Sequence, residues 1–326
     1  MGCSDCESLG LGVTREHDGR YRCELSGTKW FTCRYVAALL SKRMLLIATL
    51  IVGAGAFWLL RPASTRLLSF VWWRISTGHS VDTQFVRVND ASLYVESVGE
   101  GPAVLLLPGG LSTIDSFFSQ LPDLAARFRV IAIEPRGHGR SKPITDLTYR
   151  LLAADAVAVL DALNVPNASV VGWSDGGTTG LMMALEHPER VSRLVAISAN
   201  FAPSGIDDEA QRRLHEATPD DGWFMRALYR WRAGSSADWS KLWHAVTTMW
   251  RTRPVVDISE LRRIYTPTLL IVGDNDTVTT EHATEMVNEL PNAELIIIEE
   301  GHHTSLIWQA DQVNEQIIDF LNAAEP

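Results

Sequence analysis

Cysteine is absent from most of this chain. All four cysteines, Cys3, Cys6, Cys23 and Cys33, lie within the first 33 of 326 residues. The rest of the chain cannot use a disulfide framework, so it suits a reducing or an oxidising compartment. Cys3 and Cys6 form a C-x-x-C pair, but the later cysteines follow at irregular spacing, which does not favour a metal site. We therefore expect neither a metal nor another cofactor.

Basic charge is scarce beyond residue 80. Residues 81–326 hold 19 Lys and Arg against 34 Asp and Glu, whereas residues 1–80 hold 10 against 5. Nucleic-acid binding rests on neutralising phosphates with Lys and Arg, so we do not expect a nucleic-acid partner. Internal repeats are also lacking, and the length with 46% hydrophobic content permits one large domain with a sizeable core.

Only one long stretch lacks charge. Residues 44–60 read MLLIATLIVGAGAFWLL, which as a helix would span roughly 25 Å, slightly less than a bilayer core of about 30 Å. Basic residues flank this stretch and Trp58 suits an interface, so we predict a single-pass membrane anchor at 44–60 rather than a buried core helix. An N-terminal tail, 1–43, precedes it and a linker, 61–80, follows. The basic excess of the tail predicts that the tail lies in the cytoplasm and that the domain 81–326 is extracytoplasmic.

Residues 81–326 alternate short β-branched runs with longer amphipathic stretches. This rhythm predicts the α/β class, with a mostly parallel eight-stranded sheet flanked by helices. Apolar runs such as AVLLL and TLLIV indicate central strands covered on both faces. The predicted strands are 84–89, 92–97, 103–108, 129–134, 168–173, 192–198, 268–273 and 294–299. The predicted helices are 115–127, 147–164, 176–187, 280–290 and 309–323.

Residues 205–262 interrupt this rhythm with helix formers and five tryptophans. An insertion at the carboxyl edge of a parallel sheet lies where ligands bind in open α/β folds. We therefore predict a helical cap over the ligand crevice. Each tryptophan taken singly is expected to pack the cap onto the sheet.

A serine elbow is the strongest chemical motif. Gly172-Trp173-Ser174-Asp175-Gly176 matches G-x-S-x-G, follows the apolar run SVVGW and precedes a helical stretch. This strand–turn–helix setting lifts a serine hydroxyl into the crevice as a nucleophile. A turn serine at a helix start is the plain alternative.

A nucleophilic serine needs a histidine base oriented by a carboxylate, expected in the order Ser, Asp or Glu, His. The strand before Gly273 is followed by Asp274 and Asp276, and the last strand is followed by His302 and His303. All of these residues leave the carboxyl ends of successive strands, on the edge that carries Ser174. Asp276 is our candidate acid, with Asp274 as competitor, and the residues alone leave both histidines open.

The oxyanion donors are predicted from the loops beside the serine. The backbone N–H of Asp175 follows the nucleophile, and Gly110, in the run LPGG after the strand AVLLL, is placed to supply a second N–H. The Asp175 side chain complements the start of its helix, although a carboxylate there could also favour a substrate with a cationic amino group.

Several motifs in one order resemble the α/β-hydrolase superfamily over residues 81–326: GWSDGG, PRGHGRS (135–141), HPERVSRLVAIS (187–198), IVGDND (271–276) and VNEQIIDFL (313–321). GWSDGG is similar to the elbow of biphenyl-hydrolase-like serine esterases. Pro108 stands where many relatives have His before the oxyanion glycine. Aligning VNEQIIDFL with the similar family ending implies that His303, rather than His302, is the base, although a glycine before the base would select His302.

Together these features predict a serine hydrolase without a cofactor. It would cleave a small ester, lactone or activated amide through an acyl-enzyme on Ser174, with His303 as base and Asp276 as orienting acid. The alternatives are a ligand-binding protein on the same fold without significant turnover, and a perhydrolase that uses the same residues.

Overall fold

A computed structural model of the protein describes residues 12–15, 21–25, 29–32, 62–75, 81–254 and 256–323. The chain divides into two compact units, Met1–Ser64 and Thr65–Pro326, and each is described by itself. Cys3, Cys6, Cys33 and the apolar stretch 44–60 lie outside the described residues.

Within the predicted tail, the first unit contains a small antiparallel sheet. Its strands are β1 (Gly12–Arg15), β2 (Tyr21–Leu25) and β3 (Lys29–Thr32), with β2 in the centre. Arg22 pairs with Thr14 on one side and with Thr32 on the other.

The predicted membrane anchoring requires a correction. Across the part of the chain that the structure describes, no helix combines the length and the apolar character needed to cross a bilayer. This finding contradicts a single-pass, membrane-anchored protein with an extracytoplasmic catalytic domain. The predicted span itself, residues 44–60, lies outside the described residues.

Helix α1 (Pro62–Ile75) lies within the predicted linker 61–80. Its Phe70 is buried in the core of the second unit. Arg66 forms ion pairs with Asp123 and Asp311, and Arg74 forms one with the buried Glu96. These contacts fasten the helix from Thr65 onward to the second unit, while Trp72 on its outer face is exposed.

The second unit is built on the predicted eight-stranded sheet, so the predicted fold class is confirmed. Its strand order is β11-β10-β9-β8-β6-β7-β5-β4, in which β5 runs antiparallel to both of its neighbours and the other pairs are parallel. The strands are β4 (Asp82–Val88), β5 (Ala91–Val98), β6 (Ala103–Leu107), β7 (Arg129–Ile133), β8 (Ala168–Trp173), β9 (Val191–Ile197), β10 (Thr268–Gly273) and β11 (Ala293–Ile298).

The core lies on both faces of this sheet. Along β6, Val104 and Leu106 belong to one buried apolar cluster, and Leu105 and Leu107 belong to the other. Side chains alternate between the faces of a strand, so a strand that is apolar throughout must be covered on both sides.

The covering helices are α2 (Leu121–Ala125), α3 (Tyr149–Ala162), α4 (Asp175–Glu186), α8 (Thr280–Glu289), α9 (Ser305–Trp308) and α10 (Ala310–Asn322). The helix predicted over 115–127 is divided into a 3₁₀ turn, Ile114–Phe117, and α2. Pro122 lacks an N–H and restricts the preceding residue, so it suits the first turn of a new helix rather than the middle of a long one.

The cap consists of helices α5 (Asp208–Glu216), α6 (Trp223–Ala233) and α7 (Trp239–Thr252), with 3₁₀ turns at Pro203–Gly205, Gly234–Ser236 and Ile258–Arg263. Trp239 and Trp243 are buried, as expected for residues that pack the cap, whereas Trp223 and Trp231 are exposed.

A buried ion pair ties helix α3 to the loop after β7. Arg136 is 1% exposed and donates to Asp155 from Nε (2.7 Å) and Nη2 (2.8 Å). Asp155 also accepts a hydrogen bond from Asn89, and Arg136 reaches Asp90 at 2.8 Å. Because both charges are out of water, each depends on the other for compensation.

We predict that Asp155→Asn lowers the free energy of unfolding by about 3 kcal/mol, because it leaves the buried Arg136 with only the exposed Asp90 as a charged partner. The control is Asp161→Asn on the same helix, where the ion pair with Arg190 is exposed and the expected loss is below about 1 kcal/mol. Urea unfolding of both variants measures the difference. Equal losses would contradict the role of the buried pair.

Candidate active site

Ser174 lies at a strained turn between β8 and α4. Its φ of 54° and ψ of −118° are unfavourable for a residue with a side chain. Its N–H donates to the carbonyl of Ile197 at 2.7 Å. A Cβ at Gly172 would approach the carbonyl oxygen of Gly176 to 2.2 Å, and one at Gly176 would approach that of Leu107 to 1.8 Å. Only glycine therefore allows this sharp elbow.

His303 joins the serine to a carboxylate. Its Nε2 lies 2.9 Å from Ser174 Oγ, and its Nδ1 lies 2.7 Å from Asp276 Oδ1. An ionised carboxylate only accepts hydrogen bonds, so the ring proton belongs on Nδ1. Nε2 is then free to accept the proton of the serine hydroxyl.

Asp276 is buried, and several hydrogen-bond donors surround its carboxylate. Besides His303, its carboxylate accepts hydrogen bonds from the hydroxyl of Ser198 and from the N–H of Val278 at 3.1 Å. Burial by itself raises the pKa of this carboxyl, but the interactions with His303 and the donors of Ser198 and Val278 outweigh burial and lower it. Asp276 is therefore an anion at neutral pH.

The competing candidates lie apart from the serine. His302 is exposed, and its Nδ1 lies 3.2 Å from the carbonyl of Asn275. The carboxylate of Asp274 accepts from the N–H groups of Glu300 and Gly301, which ties two loops together. The structure thus brings together Ser174, Asp276 and His303, and it leaves Asp274 and His302 in supporting turns.

Two further side chains hold His303 in place, and neither was predicted from the sequence. Trp173 Nε1 donates to the carbonyl of His303 at 2.8 Å, and the Thr277 hydroxyl lies 3.0 Å from His303 Nδ1. Trp173 belongs to the elbow motif and Thr277 follows Asp276, but no sequence pattern indicates which way either side chain points.

Gly110 lies directly beside Asp175, as the predicted oxyanion donors must. A Cβ at Gly110 would come within 2.3 Å of Asp175 Oδ2 and within 2.6 Å of the Trp250 ring. Within residues 81–254 and 256–323, no acceptor is found for the N–H of Gly110 or of Asp175. Both donors are available to a ligand next to Ser174.

The Asp175 side chain is held between two aromatic hydrogen-bond donors, which were not predicted from the sequence either. Tyr149 donates its hydroxyl to Oδ1 at 2.8 Å, and Trp250 Nε1 donates to Oδ1 and Oδ2 at 2.8 and 2.9 Å. Burial raises the pKa of Asp175 to about 6, although both donors act in the opposite direction. A preference for a cationic amine beside this carboxylate remains a prediction.

His138, from the motif PRGHGRS, supports the loop that carries Gly110. Its Nε2 accepts from the N–H of Leu111 at 3.0 Å, and its Nδ1 donates to the carbonyl of Arg136 at 3.1 Å. Leu111 has a φ of 58°, so this hydrogen bond helps hold a strained residue. Complete burial lowers the pKa of His138 to about 4, which keeps the imidazole neutral.

A cavity of about 230 Å³ opens above Ser174 and His303. The apolar part of its wall comes from the cap and from Val278. Asp175 and Trp250 form another part, and Arg253 at the end of α7 also lines it. The apolar lining residues are Ile206, Ala210, Leu214 and Val278.

Comparisons with known proteins agree with this architecture. The family model described as alpha/beta hydrolase fold matches residues 102–221, and one described as TAP-like protein matches residues 235–326. "Serine hydrolase BPHL" from Homo sapiens is 31% identical over 267 residues, which cover 75% of this chain and 88% of the relative. The chain therefore belongs to the α/β-hydrolase superfamily and is similar to biphenyl-hydrolase-like serine hydrolases.

Two further proteins are similar over much of the chain. "Pimeloyl-[acyl-carrier protein] methyl ester esterase" from Nitrosospira multiformis is 27% identical, covering 72% of this chain and 99% of the relative. The solved structure of "Est816 as an N-Acyl homoserine lactone degrading enzyme" is 26% identical with a TM-score of 0.61. It covers 73% of this chain and 100% of its own.

We predict that the His138→Gln variant is less stable than the wild type, and that the difference shrinks as the pH falls. A histidine whose folded pKa lies near 4 instead of 6.5 stabilises the fold above pH 6.5. That contribution, up to about 3 kcal/mol, is lost as the pH falls from 6.5 towards 4, because the unfolded chain then binds the extra proton. Urea unfolding at a series of pH values measures this slope.

The matched control is His215→Gln. His215 is exposed on cap helix α5, so its replacement should leave the pH dependence of stability unchanged. If the free energy of unfolding of His138→Gln changed with pH by as much as that of the wild type, the role of the neutral imidazole would be contradicted.

Proposed function

We propose that this protein is a serine hydrolase that cleaves a small ester, lactone or activated amide through an acyl-enzyme on Ser174. The observation that carries the proposal is the continuous hydrogen-bonded chain from Ser174 Oγ through His303 to the anionic Asp276. Ser174 and His303 line a cavity in which a substrate carbonyl can approach the serine hydroxyl.

The geometry supports the following mechanism. His303 Nε2 accepts the hydroxyl proton while Ser174 Oγ forms a bond to the substrate carbonyl carbon, and Asp276 stabilises the resulting imidazolium. The N–H groups of Gly110 and Asp175 donate to the oxyanion of the tetrahedral intermediate. His303 then protonates the leaving group, and the acyl-enzyme remains.

Deacylation repeats these steps with water as the nucleophile. His303 takes a proton from the water, whose oxygen attacks the acyl carbonyl, and the carboxylic acid product leaves as Ser174 regains its proton. No step requires a group from outside the chain other than water. The charge of Asp276 is used in both halves of the cycle.

Substrate size and class follow from the cavity and from the relatives. A cavity of about 230 Å³ is smaller than the sites of roughly 300–1,000 Å³ that take drug-sized ligands, which favours a compact acyl group. Relatives named for ester and lactone substrates support a carboxylic ester or lactone.

An active enzyme is favoured over a binding protein by the arrangement of the proton-transfer groups. A binding pocket has no need for a buried carboxylate that fixes the tautomer of a histidine 2.9 Å from a strained serine. Strain in a buried turn costs free energy, of order 1–3 kcal/mol for one residue. A function that uses the position of Ser174 accounts for it.

We predict that His303→Ala lowers kcat/KM for a short p-nitrophenyl ester by about 10⁴-fold or more, since it removes the general base. The matched control is His302→Ala, the adjacent histidine, whose exposed imidazole lies 3.2 Å from the Asn275 carbonyl. That variant should retain most of the activity. A dead His302 variant beside an active His303 variant would reverse the assignment.

Asp276 and Asp274 provide a second matched pair of variants. Asp276→Asn should lower kcat by about 10⁴-fold, because an amide disfavours the tautomer that the mechanism requires. Asp274→Asn, two residues away, alters only a loop contact and should keep most of the activity once folding is verified by circular dichroism. Similar kcat values for the two variants would show that Asp276 is not the orienting acid.

A further inference from the structure

Arg253 is a charged residue of the cavity that the mechanism above does not use. It follows α7 directly, and its N–H still donates to the carbonyl of Met249 at 2.7 Å. The residue lines the cavity above Ser174 and is also exposed. Its side chain therefore lies where the cavity meets solvent.

The guanidinium of Arg253 has no hydrogen bond or ion pair to any residue that the structure describes. Neighbouring arginines of the cap differ in this respect. Arg232 forms an ion pair with Asp115, and Arg251 donates to the carbonyl of Leu214 at 2.6 Å. Residues 81–326 are strongly acidic overall, yet the arginine at the cavity has no carboxylate partner.

The bond from Arg251 to Leu214 also helps to shape this end of the cavity, because it fastens α5 to the end of α7. Leu214 lines the cavity together with Arg253. Arg253 thus belongs to a part of the cavity wall that a hydrogen bond between α5 and the end of α7 holds in place. A ligand that paired with Arg253 would meet a fixed surface rather than a loose loop.

Charges of opposite sign are separated in this cavity. Its titratable lining groups are Tyr149, Asp175, Arg253 and His303. Asp175 is bonded to Tyr149 and to Trp250. Trp250 precedes Arg253 by three residues, and both line the cavity. The Trp250 indole donates hydrogen bonds to the Asp175 carboxylate next to the serine. Arg253 therefore remains able to pair with a different anion.

We propose that Arg253 is a specificity-determining residue that pairs with a carboxylate of the substrate, at a distance from the bond that is cleaved. This inference rests on the proposed function and names its substrate class: small esters or lactones that carry an anionic group. Arginine presents a planar pair of donors that matches a carboxylate. The ester carbonyl lies at Ser174 while the carboxylate lies at the open end of the cavity.

The test uses two pairs of substrates that differ in one charge. The first pair is mono-p-nitrophenyl glutarate and its methyl ester, with the carboxylate on the acyl side. The second is 4-acetoxybenzoate and its methyl ester, with the carboxylate on the alcohol side. Rates with Ser174→Ala are subtracted, because the glutarate half-ester also hydrolyses by itself.

In at least one pair the wild type should favour the anionic substrate by about tenfold in kcat/KM, the effect of one partly exposed charge-assisted hydrogen bond. The preference should arise mainly in KM. Arg253→Gln should lower kcat/KM for the anionic substrate by about tenfold relative to its neutral partner, the full size of the preference, and Arg253→Lys should retain part of the preference. Added salt should weaken the preference of the wild type, since salt screens the ion pair.

The matched control is Arg230→Gln. Arg230 is also an exposed arginine of the cap, on α6, and it does not line the cavity. It should behave as the wild type with all four substrates. Equal rates of the wild type on both members of each pair would overturn the proposal, as would loss of the preference in Arg230→Gln.

A binding measurement separates failure of this inference from failure of the proposed function. If the wild type cleaves none of the four esters, the proposed function fails. Glutarate binding to Ser174→Ala is then compared by calorimetry with binding to Ser174→Ala/Arg253→Gln. Weaker binding to the double variant, by about tenfold, supports the carboxylate site, whereas equal binding rules it out.

Discussion

The close packing of the turn 172–176 against the end of β6 is the constraint on which the site depends. The backbone at Gly176 contacts the carbonyl of Leu107 so tightly that no Cβ fits, and the Ser174 N–H is bonded to β9 through Ile197. Ser174 is thereby held at a positive φ with its hydroxyl at the carboxyl edge of the sheet. The loops that leave this edge after β10 and β11 bring Asp276 and His303 to Ser174. Gly110, in the loop after β6, lies beside the helix that follows the serine.

Three buried polar groups around the site, Asp276, His138 and His282, are hydrogen-bonded and support its loops. Asp276 remains an anion because several donors surround it. His138 and His282 are neutral acceptors for backbone N–H groups, of Leu111 in the oxyanion loop and of Phe201 in the loop after β9. Burial lowers the pKa of each of these histidines to about 4. The loops at this edge of the sheet are therefore stabilised by paired polar groups as well as by apolar contacts.

The sequence predicted those parts of the molecule that depend on local pattern and chain order. Apolar periodicity indicated all eight strands of the large sheet, and the ends of β8, β10 and β11 placed Ser174, Asp276 and His303 at one edge. Contacts between distant residues were not predictable. Asp175 meets Tyr149 and Trp250, which are 26 and 75 residues away in sequence, through packing of the cap on α3 and α4. The division of the helix at Pro122 was missed, and the single-pass anchor was wrong.

Labelling of Ser174 by a fluorophosphonate probe tests the central claim most directly, because the probe reacts only with a serine that a neighbouring base has activated. The full chain is treated with the probe, and the modified peptide is located by mass spectrometry. We predict one adduct, on Ser174, which is absent from Ser174→Ala and strongly reduced in His303→Ala although both variants are folded. A folded wild-type protein that takes up no probe, or an adduct on a different serine, would contradict it.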